Sequence, residues 1–420
     1  MSAIPAGYKL TEVGVIPENW KFGELSSLNP IVTSGSRGWA RYYSDLGSAF
    51  LRITNLSRES IYVDLSDLKF VKLPPNDTEG LRTQLQDGDL LISITADIGI
   101  IGYVEPAVPK PAYINQHIAL LRFDAVKIDT KFLSYFLASE RPQRAFRAGT
   151  DQGAKAGMNL AGVRSIRAVF PPLPEQRAIA TALSDVDALL AKLDQLINKK
   201  RDLKQATMQQ LLTGQTRLPG FAGEWEVKRL GDVGAFFKGS GIKKDEARSG
   251  DIPCVRYGEI YTHHNDYVKA YNSRISPAVA STATPLKQGD LLFAGSGETK
   301  EEIGKSVAIV DDFEAYAGGD IVILRPKNAS SMFLGYYCNT TPITVQKASM
   351  GQGDAVVHIS ATALSNIEVT LPRVEEQTAI ATILSDMDAE LDALETQRNK
   401  TRALKQGMMQ ELLTGRIRLV

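Results

Sequence analysis

Two stretches of the chain have the residue types and spacing to grip a polyanion. In residues 33–44 (TSGSRGWARYYS), Arg37 and Arg41 alternate with Trp39, Tyr42 and Tyr43, and Ser36 precedes the first arginine. Guanidinium groups can pair with phosphates or with the edge of guanine, hydroxyls can donate to a backbone, and glycines let a loop come close. Residues 236–244 (FFKGSGIKK) offer Lys238, Ser240, Lys243 and Lys244 in a comparable setting. Gln116, within Asn115-Gln116-His117, could read bases or simply hold a turn. Arg144 and Lys155 belong to a second basic group with Arg141 and Arg147, and Lys300 sits in a glycine-rich loop. Each cluster alone also reads as solvated surface. Their recurrence at equivalent places along the chain favours binding.

Motifs for catalysis are weaker. Residues 295–306 (GSGETKEEIGKS) end in Gly-Lys-Ser like a phosphate-binding loop. The first glycine of that motif is replaced by Thr299, and Glu298, Glu301 and Glu302 would repel a triphosphate. No Asn/Asp-Pro-Pro-aromatic tetrapeptide is present to hold a flipped base. The histidines (117, 263, 264 and 358) are scattered, and Cys254 and Cys338 are too few for a disulfide framework or a Cys-rich zinc site. The expectation is a non-catalytic binding protein with no catalytic residues, metal or cofactor of its own. A self-sufficient DNA-modifying enzyme and a coiled-coil protein scaffold stand as alternatives.

The elements that must position these residues are laid out by a duplication. Residues 175–218 align without a gap to residues 376–419, with 27 of 44 positions identical, where roughly three would match by chance. In the first copy Leu183, Val186, Leu190, Leu193 and Ile197 recur at spacings of three and four, the seam of a coiled coil. The second copy keeps Leu384, Met387, Leu391 and Leu394, then reaches Arg398, where the seam weakens. Prolines precede each helix, and Gly214 and Gly415 suit left-handed C-caps. Forty helical residues would span roughly 60 Å. Such length, with a polar second half, suits pairing or docking better than burial in a core, and each copy's best partner is the other.

The segments between are β-rich and match in order. Phe50–Ile53, Leu90–Ile94, Ile100–Val104 and Ile118–Phe123 correspond to Cys254–Tyr257, Asp290–Phe293, Ser306–Val310 and Asp320–Leu324. Short helices are expected from Phe132 and Phe333, and Gln152-Gly153 and Gln352-Gly353 follow in glycine-rich loops. Trp20 with Leu25, and Trp225 with Leu230, lead into the two domains alike. These regions have diverged far more than the helices, as expected if they bind different things on one frame. A two-fold relation between the halves would make the helices antiparallel. The division expected is 1–172, 173–214, 215–373 and 374–415: domain, helix, domain, helix.

Bulk charge says little. Lys and Arg number 48, as do Asp and Glu, so any nucleic-acid surface must arise from arrangement. The start, MSAIPAGYKL, lacks a basic-then-apolar leader, and no stretch reaches the roughly 18 apolar residues of a membrane span. A soluble cytoplasmic protein is expected.

Pro174-Glu175-Gln176-Arg177-Ala178-Ile179-Ala180, Leu203-Lys204-Gln205 and Leu211-Leu212-Thr213-Gly214, with their second copies and the Trp225/Leu230 lead-in, resemble the specificity subunit of type I restriction–modification systems. The likeness covers essentially the whole chain. It implies an α+β fold with two pseudo-two-fold-related β-rich target-recognition domains separated by two long antiparallel coiled-coil helices. Each domain would read half of an interrupted site in double-stranded DNA. The helices would space the domains and dock two methyltransferase subunits, which bring S-adenosylmethionine. A restriction–translocase subunit, with its ATP and Mg, would join for cleavage.

Overall fold

The computed structural model describes residues 4–74, 78–150, 157–353 and 356–419. They fall into two units, Met1–Asp194 with Gln397–Val420 and Gln195–Thr396. The division cuts both long helices, so each unit holds one β-rich lobe and a stretch of each helix.

In the first unit a four-stranded antiparallel sheet runs in the order Ile31–Ser34, Ile118–Arg122, Leu90–Ser93, Ile101–Tyr103. Its strands carry apolar side chains on both faces, because cores lie on both sides. Leu90, Ile92, Ala119 and Leu121 point into a core with Phe132 and Leu183. Leu91, Ile118 and Leu120 point the other way, toward Leu51 and Ile114. That period-two division turns an unbroken apolar run into a central strand. A second four-stranded sheet places Ala112–Ile114 beside Ser48–Leu51, then Lys69–Val71 and Tyr43–Ser44.

The second unit repeats this plan. Its central sheet is ordered Gly234–Lys238, Ile321–Pro326, Leu291–Ala294, Ser306–Ala308. Leu291 and Phe293 enter one core, Leu292 and Ala294 the other. All eight strands expected from sequence are present, with no end shifted by more than two residues. The expected short helices are Thr130–Ala138 and Ser331–Tyr337. Asp129 caps the first by accepting from Phe132 N at 2.8 Å, and Ser330 caps the second by accepting from Phe333 N at 3.3 Å.

The long helices are Leu173–Leu212 and Val374–Leu412. Both are followed by a glycine at φ 70°, Gly214 and Gly415, the left-handed closure in which a Cβ is costly. At Gly415 a Cβ would also lie 2.5 Å from the Pro17 ring, so the lead-in packs directly on the helix end. Leu183, Leu193, Ile197, Leu384 and Leu391 are buried, while Val186, Leu190, Met387 and Leu394 are half-buried. Leu183 and Leu384 sit in the domain cores beside Leu412 and Leu212 respectively, so the start of the expected seam belongs as much to the domain as to the helix pair.

Within each unit the two helix stretches run antiparallel. In the first, Asp187 meets Lys405 at 2.6 Å and Asp194 meets Arg398 at 3.4 Å. In the second, Lys204 meets Asp388 at 2.6 Å and Lys200 meets Glu390 at 2.7 Å. Arg398, where the apolar seam fails, is thus an ionic rung.

Candidate nucleic-acid interface

In each central sheet one rim holds some of the polar residues singled out by sequence. The strand Ile31–Ser34 ends there, the strand Leu90–Ser93 ends beside it, and Ile118–Arg122 begins between them. Gly35 N donates to Ile118 O at 3.1 Å and Ile94 N to His117 O at 2.9 Å, so residues 35, 94 and 117 share the edge. In the second unit Gly239 N donates to Ile321 O at 2.8 Å and Gly295 N to Asp320 O at 2.7 Å. Lys238, Ser240, Ser296 and Asp320 therefore occupy the matching rim.

The expected contact residues divide into those that can touch a ligand and those that cannot. Arg37 and Arg41 are exposed, and Arg41 lies over the half-buried Tyr42 ring at 4.8 Å. Trp39 corrects the sequence reading: it is 2% exposed and stacks on Phe50 at 5.7 Å, in a small core with Val71. Its ring anchors the loop that presents the two arginines and is closed to a base. Ser36 is likewise buried at 3%. Gln116 is half-buried, with its Nε2 at 3.2 Å from the His117 ring. Arg144 is exposed and paired with Glu140 on its own helix. Lys155 lies outside the described residues, as do Gln152 and Gly153.

In the second unit Lys238, Ser240, Lys243, Lys244 and Lys300 are all exposed. Ser240 Oγ donates to Thr282 O at 2.9 Å, which holds its loop against the turn just before the strand Thr284–Pro285. The Gly-Lys-Ser of residues 304–306 is occupied structurally: Lys305 Nζ donates to His264 O at 2.6 Å, and Ser306 Oγ to Asn339 Oδ1 at 3.1 Å. That is a loop and strand start, with lysine and hydroxyl turned into the fold.

Sequence reasoning missed the residues that fasten domain to helix. Asp187 accepts from Tyr135 OH at 2.6 Å while holding Lys405; Asp388 accepts from Tyr336 OH at 2.6 Å while holding Lys204. Burial and the carboxylate beside each hydroxyl push both tyrosines far above the usual phenol range, so they stay donors. Glu175 accepts from Trp20 Nε1 at 3.0 Å and takes a bidentate contact from Arg418. Glu376 takes the same bidentate contact from Arg217, at 2.5 and 2.6 Å. Gln176 accepts from Asp129 N at 2.8 Å and Gln377 from Ser330 N at 2.9 Å, each meeting the start of a short helix. The signal was available: these Glu, Gln, Asp, Lys and Arg residues are all identical between the two copies.

The two units thus share a fixed frame and differ at the rim. A sequence profile described as "Type I restriction modification DNA specificity domain" matches residues 63–200 and 222–401, well over half of the chain. The MjaX specificity subunit of a type I restriction enzyme from Methanocaldococcus jannaschii is 24% identical, with 98% of this chain and 97% of that protein covered. The type I restriction enzyme MjaVIII specificity subunit of the same organism is 25% identical over 61% of this chain and 63% of its own length. Among solved structures, the type I restriction–modification S subunit from M. genitalium superposes with a TM-score of 0.60 at 16% identity, covering 96% of this chain and 97% of that one. Among the described residues no helix is long and apolar enough to cross a membrane.

Proposed function

Because the chain belongs to the family of type I restriction–modification DNA specificity domains, we propose that it is the DNA sequence-recognition subunit of such a complex, each β-rich domain reading one half of an interrupted site. The observation that carries this is the pairing of a constant frame with a variable rim. Tyr135 and Tyr336, Asp187 and Asp388, Lys405 and Lys204, and the Glu–Arg contacts are the same chemistry built twice. At the rim, Arg37 and Gln116 stand in one unit, and Lys238 and Ser240 in the other. A protein that must present two different half-sites to one machine needs that combination.

In this reading the exposed cations supply contact to phosphates, and the neutral rim groups discriminate bases. The chain contributes recognition and no chemistry. Two methyltransferase subunits docked on the helices bring S-adenosylmethionine, and an ATP- and Mg-dependent restriction subunit performs translocation and cleavage.

The long helices act as the spacer. Two readers on one face of DNA need centres about one helical turn apart, roughly 34 Å, within reach of helices of this length. Four residues add about 6 Å to a helix and slightly more than one turn. Inserting four helix-forming residues into both helices in step is expected to lengthen the gap between half-sites by roughly two base pairs, at about 3.4 Å each. Each half-sequence should stay intact. Methylation mapping by single-molecule sequencing, in cells carrying the chain and its methyltransferase partner, reads both at once; an unchanged gap would remove the spacer role.

A further inference from the structure

We infer that His358 is a specificity-determining residue of the second domain, reading a purine edge in the major groove, and that Ser296 is its positioning residue. The inference rests on the DNA-recognition reading above and assigns a contact within it. Ser296–Gly297 pairs antiparallel with Val357–His358, with Ser296 directly opposite His358. Ser296 is 3% exposed, and its Oγ lies 2.8 Å from Nδ1 of His358, whose residue is exposed. A buried hydroxyl needs a partner, and among the described residues the ring is the one that Ser296 Oγ has. In the tautomer in which the hydroxyl donates to Nδ1, the ring proton sits on Nε2. The outward nitrogen is then a fixed donor, suited to N7 of a purine or O6 of guanine.

The first unit supplies an independent observation. Its Thr95 bridges Gly157 as Ser296 faces His358. Gly157 has no ring to offer, yet the Thr95 hydroxyl still meets an imidazole, at Nδ1 of His117. His117 comes from a different element: its carbonyl accepts from Ile94 N, the place that Asp320 holds in the second unit, where its carbonyl accepts from Gly295 N. The hydroxyl–imidazole pair thus recurs at one position while the histidine changes its seat. A pair serving only the fold would be part of the constant frame, as Tyr135 and Tyr336 are. A ring that moves between elements belongs to the surface that varies.

The neighbours fit the division of labour. Lys238 and Lys300 are flexible, exposed cations close along the chain to the same rim and loop, suited to phosphates, which can be met in many geometries. The imidazole is pinned by a two-strand ladder and a buried hydroxyl, the rigidity that reading a base edge requires.

The test uses the full chain expressed with its methyltransferase partner, with methylated sites mapped by single-molecule sequencing. Wild type should give a two-part site. His358→Ala should leave one half-site and the gap unchanged and relax a single base pair of the other, with discrimination there falling about 10-fold or more. Ser296→Ala should relax the same base pair to a smaller degree. An unchanged motif with evenly reduced methylation would mark a phosphate contact and overturn the assignment, as would no change at all. Should His358→Ala give no methylation, His358→Gln decides. With folding checked by circular dichroism, a shifted preference at that one base pair supports the assignment, and the wild-type motif at every position sinks it. Absence of any two-part site for wild type would instead overturn the recognition reading itself.

Discussion

Asp187→Ala should destabilise the first unit by about 3 kcal/mol, the lower end of the cost of breaking a buried pair, because both partners are half-buried. Asp187 and Lys405 are each only 13% exposed at the side chain, and their contact is 2.6 Å. Removing the carboxylate strands the ammonium of Lys405 and leaves Tyr135 OH only the Tyr62 hydroxyl, at 3.2 Å, in place of its carboxylate acceptor. Asp388→Ala should cost less, by about 1 kcal/mol, because the second unit has a fallback. There Asp266 already lies 3.7 Å from Lys204. Burial raises the pKa of Asp266, and Lys204 opposes that rise, so an ammonium freed from Asp388 can turn to it. The first unit has Ile61 in that place: Ile61 O accepts from Tyr103 N as Asp266 O accepts from Ala308 N. Hydrogen exchange of peptides from each unit, in the full chain, reads the two losses separately. Losses below about 1 kcal/mol in both would show that the node behaves as a screened surface pair.

Much of this architecture was legible in the chain. The duplicated helices, their glycine caps and the eight strands follow from periodicity and internal repetition, since both act locally. The strands were visible for a particular reason: Leu90-Leu91-Ile92 and Leu291-Leu292-Phe293 are buried on both faces, and a fully apolar run between turn residues is hard to misread. Trp39 was misread because an aromatic between arginines looks alike whether it stacks on a base or on Phe50. Only the fold brings Phe50 and Val71 to it. The frame residues were missed for the opposite reason. Glu175 and Arg418 are 243 positions apart, and nothing local marks them as partners. The repeat does mark them as constant, but in sequence that constancy points to pairing of the helices with each other rather than to a joint with the domains. At the rim, exposed cations such as Lys238 can be picked out by residue type, while the Ser296–His358 pair has no signature in sequence, because a two-residue ladder carries no periodic signal.

The second large effect concerns a lysine with no counterpart of its kind. Lys347 is completely buried, and its Nζ donates to Gly304 O at 2.7 Å and Cys338 O at 2.9 Å. In the first unit the same job is done by an uncharged amide: Gln143 Nε2 donates to Gly99 O at 2.7 Å and Leu137 O at 2.9 Å. The position equivalent to Lys347 holds Phe146, which packs against Gly99 as Lys347 packs against Gly304. Burial lowers the Lys347 pKa from 10.5 to about 8. Below pH 8 the group is protonated in both folded and unfolded chains, and the full penalty, about 3 kcal/mol, is present. Between 8 and 10.5 the unfolded chain binds the extra proton, so this contribution to stability rises with pH. Cys338, pushed up to about 12 by burial in the same core, works the other way above its ordinary value, because its folded form keeps the proton longer. The net slope of the wild type therefore mixes opposing parts, and the clean quantity is a difference. Lys347→Met removes the titrating group and leaves Cys338 in place. Its stability relative to wild type, from urea unfolding followed by exchange in second-unit peptides, should be highest at pH 7 and fall by about 2–3 kcal/mol by pH 10. A difference that stays flat over that range would mean that Lys347 keeps its proton in the folded chain, with the two carbonyls compensating a buried ammonium in full.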